Sequence, residues 1–146
     1  MLETYRKVIL QESYHSAPEE VRTMGKMFKE MFEEVGFRCK LTNVGTDESG
    51  DMLTGILGED RPGKPIIFGG HMDTVHKLGS FPCKFEVDDE GKVHGPGVLD
   101  MKGGIVIALY VCKALNEIGY NSRPLKICFA PDEEKLHKHG NTADQF

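Results

Sequence analysis

No stretch of this chain is apolar for long enough to cross a bilayer. The longest apolar run, Ile105 to Cys112, falls far short of the roughly 20 residues that a spanning helix needs. Nor does the N-terminus carry a basic stretch followed by an apolar one, so no secretory leader is expected. The four cysteines, Cys39, Cys83, Cys112 and Cys128, lack any C-x-x-C spacing. Cys112 and Cys128 fall in apolar segments and read as buried, reduced thiols, and the expected compartment is the cytoplasm. Positive charge is also in short supply: the formal net charge is −5, which argues against a nucleic-acid partner. The turn Gly95-Pro96-Gly97 is not followed by a Lys-Ser/Thr pair, so it is no phosphate loop. Internal repeats, low-complexity segments and coiled-coil heptads are absent as well.

What is present belongs to a globular domain. At 146 residues and 39% hydrophobic content, the chain is long enough for one domain with a real core. Its 17 glycines suit an α/β protein with tight strand exits. Leu2 to Tyr14 reads as a short amphipathic helix. Ser16-Ala17-Pro18-Glu19-Glu20 reads as the start of a second, with Ser16 as cap, Pro18 in the first turn and two acids near the positive end. Val21, Met24, Phe28, Met31, Phe32 and Val35 then recur at helical spacing, as a face packed on a sheet, and Gly36 is a fitting stop.

Phe37 to Val44 and Met52 to Leu57 read as strands paired across an acidic turn. Those acids lack the ligand pattern of an EF-hand, so the turn is a solvated hairpin tip. Pro65 to Gly70 is nearly all apolar, as in a sheet covered on both faces. Phe81 to Phe85 and Val87 to His94 flank the turn at 88–91 and predict a hairpin. From about Gly104 to Ile118 a helix is expected, apolar most of the way round and deeply packed. Pro124 to Ala130 is the next buried strand.

Three of these segments end in residues that bind metals. PIIFGGHMDTV stops at His71 and Asp73. VHGPGVLDMKGG presents Asp100 just ahead of the apolar helix. ICFAPDEEKLH stops at Asp132, Glu133 and Glu134. Sites in open α/β sheets gather beyond the carboxyl ends of strands, so the three ends are expected to meet at one edge. His71, Asp100 and Glu134 would supply an imidazole and two carboxylates, a set that suits zinc and also cobalt or manganese. Residues i and i+2 of a strand face the same side, so Asp73 can lie under the imidazole and fix its tautomer. Of the adjacent Glu133 and Glu134, one can bind a metal while the other stays free to take a proton from a polarised water. Several other polar residues have blander readings. His76 is by default a surface loop histidine, though it could touch substrate; His94 either supports a ligand from behind or is structural; and Lys102 serves a structural salt bridge or the helix start. His137 and His139 form a small histidine tract of the kind that can bind metal.

HMDTV, GPGVLDMKGG and PDEE, in this order, resemble the zinc exopeptidase family of carboxypeptidase G, tripeptide aminopeptidase, acetylornithine deacetylase and succinyl-diaminopimelate desuccinylase. The resemblance covers nearly the whole chain. It implies that His71 binds one zinc, Asp73 orients it, and Asp100 bridges two zincs. It also implies that Glu134 binds the second zinc, that Glu133 is the general base, and that the peptide bond after Asp100 is cis. The expected fold is α/β, a mixed sheet with helices on both faces, forming the front part of a catalytic domain. The implied substrate is a small peptide or N-acyl amino acid.

Family members are longer. They add another acidic ligand, a lid or dimerisation domain that can join a homodimer, and a late histidine ligand. Residues 1–146 alone are therefore expected to hold at most one metal, weakly, and to show little turnover. A metal-dependent phosphoesterase fits the ligand types but not the ordered motifs.

Overall fold

The computed structural model describes residues 1–82 and 84–136. Helices α1 (Leu2–Leu10) and α2 (Pro18–Glu34) precede an antiparallel pair, β1 (Arg38–Asn43) and β2 (Asp51–Leu57). Strand β3 (Ile66–His71) follows, then a two-residue hairpin of β4 (Glu86–Val87) and β5 (Val93–His94). Helix α3 (Lys102–Glu117) leads to β6 (Leu125–Ala130), which ends at a 3-10 turn over Glu133–Lys135. The main sheet has the order β1-β2-β6-β3.

The pairing of β6 is what builds the site. It runs antiparallel to β2 but parallel to β3, and His71 at the end of β3 is in register with Ala130 at the end of β6. Parallel neighbours finish at the same edge. The HMDT and PDEE segments therefore leave the sheet side by side, as expected of a site beyond the carboxyl ends of strands.

The core lies on one face of this mixed sheet. Leu53, Leu125, Ile127 and Phe129 pack there with Met24, Phe28 and Phe32 of α2 and Ile105, Leu109 and Cys112 of α3. Phe129 sits 5.6 Å from the ring of Phe32 and 6.3 Å from that of Phe28. The expected mixed α/β sheet is present, but among the described residues the helices pack on one of its faces rather than on both. The opposite face carries, among the described residues, a small cluster of Val44, Met52 and Cys128. Cys112 and Cys128 are buried thiols, as expected, whereas Cys83, His137 and His139 lie outside the described residues. Among the described residues no helix is long and apolar enough to cross a membrane.

Five local expectations need correction. Among the described residues the hairpin pairs only Glu86–Val87 with Val93–His94, so no strand starts at Phe81. Helix α1 stops at Leu10, because Gln11 turns extended and the following residues pair with the segment after β3 instead. Ser16 does not cap α2: its hydroxyl meets His15 Nδ1 at 2.9 Å, and Ala17 takes the cap position without a side-chain bond. Strand β3 is not covered on both faces. It is an edge of the described sheet, and Ile67 is 57% exposed. Helix α3 is buried on one side only, with Ile107 60% exposed.

Helix α3 begins in a crowded place. A Cβ on Gly103 would run into the carbonyl oxygen of Val98 and would come within 3.3 Å of Tyr5 Oη. The obstruction is backbone in the turn that presents Asp100, so it yields only if that turn moves. Gly103→Ala should therefore destabilise the chain by about 1–3 kcal/mol, read from denaturant unfolding.

Candidate metal centre

His71, Asp100 and Glu134 converge. One ligand atom from each lies within 4.8 Å of the others. They arrive from three elements: the end of β3, the turn before α3 and the 3-10 turn after β6. The Asp100 turn is steadied from α1, where Tyr5 Oη donates to Val98 O at 2.7 Å. The peptide bond between Asp100 and Met101 is cis, as the resemblance implied.

The imidazole of His71 is buried, with carboxylates at both nitrogens. Nε2 lies 2.9 Å from Asp100 Oδ1, and Nδ1 lies 3.3 Å from Asp73 Oδ1 and 3.1 Å from Asp73 O. Burial disfavours the imidazolium, but the carboxylates of Asp73 and Asp100 outweigh it and hold the ring up to about 9. Glu134 is shifted the other way in charge terms. Burial, with the crowding of Asp100, Asp73 and Glu133, raises its carboxyl above the ordinary range, while His71 opposes the shift. Such a crowd of carboxylates around one imidazole is relieved by a cation, and one imidazole with two carboxylates is a donor set that fits zinc.

Asp73 does more than face the histidine. It is fully buried. Its two carboxylate oxygens accept the backbone N–H groups of Glu133 (3.2 Å) and Glu134 (3.0 Å). One side chain thus ties the β3 exit to the β6 exit. Glu133 stays outside the converging set: it is half exposed, and its Oε2 comes within 4.0 Å of His71 Nε2. Asp132 is fully buried and is not among the converging ligands.

The other candidates fall where their blander readings put them, with one surprise. His94 belongs to the hairpin, 2.8 Å from Asp88 Oδ2. His76 stacks edge-on with Phe81 at 4.7 Å and lines an open cleft of about 320 Å³ that Asp100 and Glu134 also border. Lys102 does start α3, but among the described residues the expected salt bridge is not formed. It is fully buried, and its Nζ donates to Gln11 O at 2.6 Å. Burial lowers its pKa to about 7, against the opposing charge of Glu12. Ser13, also fully buried, donates to Met72 O at 2.7 Å. Nothing in the local pattern around Ser13 marks it, because its partners lie 59 or more residues away.

The raised His71 pKa gives a pH prediction. A group with a folded-state pKa above its ordinary 6.5 adds stability fully below pH 6.5 and loses it as pH rises through about 9. A metal must displace the same proton. Between those limits the affinity of the chain for zinc should rise about tenfold per pH unit. The thermal shift on adding zinc should grow in step, because the metal-free chain weakens over the same window. A flat zinc affinity from pH 6.5 to 9 would show that His71 is not a ligand.

The description "Peptidase family M20/M25/M40" matches residues 67–143, just over half of the chain. Carboxypeptidase G2 of Pseudomonas sp. is 28% identical over 137 residues, covering 92% of this chain and 32% of that protein. Succinyl-diaminopimelate desuccinylase of Rickettsia bellii is 30% identical over 122 residues, covering 76% of this chain and 29% of that protein. The chain thus spans about a third of the length of the curated relatives it matches. Among solved structures, the di-peptidase Dug1p from Saccharomyces cerevisiae superposes with a TM-score of 0.83 at 21% identity, over 99% of this chain and 33% of that one. The metallo-carboxypeptidase Sso-CP2 from Sulfolobus solfataricus does so with a TM-score of 0.79 at 15% identity, over 94% and 32%. At these identities the likeness shows the fold alone.

Proposed function

The chain belongs to peptidase family M20/M25/M40, and from that premise we propose that the protein hydrolyses an amide or peptide bond near a free terminus, or on a small N-acyl amino acid, with divalent metal. The observation that carries this reading is the convergence of His71, Asp100 and Glu134 within 4.8 Å. Zinc is the metal that the donor set and the family favour, with two ions in the complete site; cobalt and manganese accept the same ligands. In this reading His71 would hold one ion, Glu134 the other, and Asp100 would serve both. A cation held there would supply Lewis-acid chemistry, polarising a carbonyl and lowering the pKa of a water.

The remaining work falls to the chain itself. Asp73 holds the Nδ1 proton of His71 and so leaves Nε2 facing Asp100 and the metal position. Glu133 reaches the same space with a half-exposed carboxylate, which takes a proton from the attacking water and returns it to the leaving amine. The open cleft beside Asp100 and Glu134 receives the substrate. A cytoplasmic homodimer, joined through a lid domain of the family type, completes the proposal for the whole protein.

The test sets rival substrates against each other. The whole protein is loaded with zinc and offered an N-acyl amino acid, a dipeptide and a phosphate ester. Hydrolysis of either amide, abolished by chelator and restored by zinc, is the expected result. Cleavage of the phosphate ester alone would replace this reading with a phosphoesterase, and no zinc uptake at all would remove the metal centre.

A further inference from the structure

Residues 11–15, between α1 and α2, lie against the site without contributing a ligand. Ser13 grips the turn after β3 on both sides of Asp73. Its hydroxyl donates to Met72 O at 2.7 Å, and its carbonyl accepts Thr74 N at 2.8 Å and Thr74 Oγ1 at 3.4 Å. Two residues further on, His15 N donates to Thr74 O at 2.9 Å. At the other end of the strap, Gln11 O accepts Lys102 Nζ at 2.6 Å. Ser13, Asp73, Thr74 and Lys102 are all buried, with at most 1% of each exposed.

We propose that Ser13 is a positioning residue of the metal site: it fixes both peptide groups that flank Asp73, and the strap it belongs to also anchors the lysine beside Asp100. The physical chain is short. The direction of a side chain follows its two peptide planes, and Ser13 holds the planes on either side of Asp73. Asp73 in turn orients the ring of His71 and anchors the N–H groups of Glu133 and Glu134. Lys102 ties the same strap to the residue two beyond Asp100. Two ligand-bearing turns, from positions 71 and 100, are therefore referred to one short segment. Without the hydroxyl, Met72 O is left buried with a lost donor, and the Asp73 peptide can rotate toward a new one. A shift there reaches His71 and Glu134 together.

This inference rests on His71, Asp100 and Glu134 holding a cation, and the test separates the two. Co2+ is titrated into the chain and into Ser13→Ala, Ser13→Cys and a remote core variant, Val35→Ala. Affinity, the visible cobalt spectrum and unfolding in denaturant are read for each. Ser13→Ala and Ser13→Cys should lower Co2+ affinity about 10–100-fold, the range for residues that orient ligands, and should alter the visible bands. Val35→Ala should lower stability without changing either metal readout. No cobalt binding by the parent chain would dismiss the metal centre itself. Binding by the parent with unchanged affinity and spectrum in the Ser13 variants would overturn the positioning role alone, and so would an equal loss in Val35→Ala. If neither Ser13 variant folds, the parent decides. By linkage, cobalt should slow hydrogen exchange at the amides of His15 and Thr74, and unchanged exchange at both would overturn the role.

Discussion

Glu133→Gln is expected to lower turnover by about 10²–10⁴-fold while leaving metal uptake nearly intact. The substitution keeps the shape of the side chain and removes its ability to accept a proton. It leaves the backbone N–H of Glu133 where it is, so the bond to Asp73 survives. The side chain is half exposed and stands outside the three converging ligands, so little packing or ligation is lost. A general base used in the transition state lowers kcat and kcat/KM together when removed. The check is steady-state kinetics on an amide substrate beside a zinc count for each protein. A variant that kept its turnover would mean that another group handles the proton. One that lost zinc would mean that Glu133 is itself a ligand and that its role and that of Glu134 are exchanged.

The parts of this site legible in the sequence are those set by short-range pattern. Each candidate ligand ends an apolar run or precedes one, so His71, Asp100 and Glu134 could be placed at element ends before any contact was known. Parallel pairing of β3 with β6 then did the rest. What the sequence hides is what other segments decide. Ser16 has the chemistry of a cap, yet His15 Nδ1 competes for its hydroxyl and wins. Ile67 sits in an apolar run that reads as buried, but burial depends on which strand lies alongside, and among the described residues only β6 does. Ile107 is exposed on α3 for a related reason: helical periodicity tells which residues share a face, not how many faces are covered. Ser13 and Lys102 are the clearest cases. A serine after a helix and a lysine at the start of another are ordinary in sequence. Only the fold reveals that both are buried and aimed at backbone carbonyls.

Asp73→Asn should cost about 10–100-fold in metal affinity and should also destabilise the metal-free chain. An aspartate offers acceptors at both oxygens, and here all of them face donors: the N–H groups of Glu133 and Glu134, and the Nδ1 side of His71. Asparagine has one acceptor oxygen and an NH2 that donates. Whichever way the amide turns, a donor faces a donor, and one N–H at the β6 exit loses its partner in a buried setting. That penalty is about 1–3 kcal/mol. The substitution also removes a negative charge that helps hold the His71 pKa near 9. The imidazole pKa should therefore fall from about 9, since burial opposes the charged form and Asp100 alone is left to hold it up. The sign matters for the measurement. In the parent, zinc affinity climbs with pH through the alkaline range because His71 gives up its proton late. In the variant the climb should end earlier, so the loss of affinity is largest at high pH and smallest near pH 6. Zinc titrations at several pH values, with the imidazole followed by NMR in the metal-free protein, test both halves. A loss of affinity that is uniform in pH, with the His71 titration unmoved, would mean that Asp73 acts only as a backbone anchor and not through the histidine.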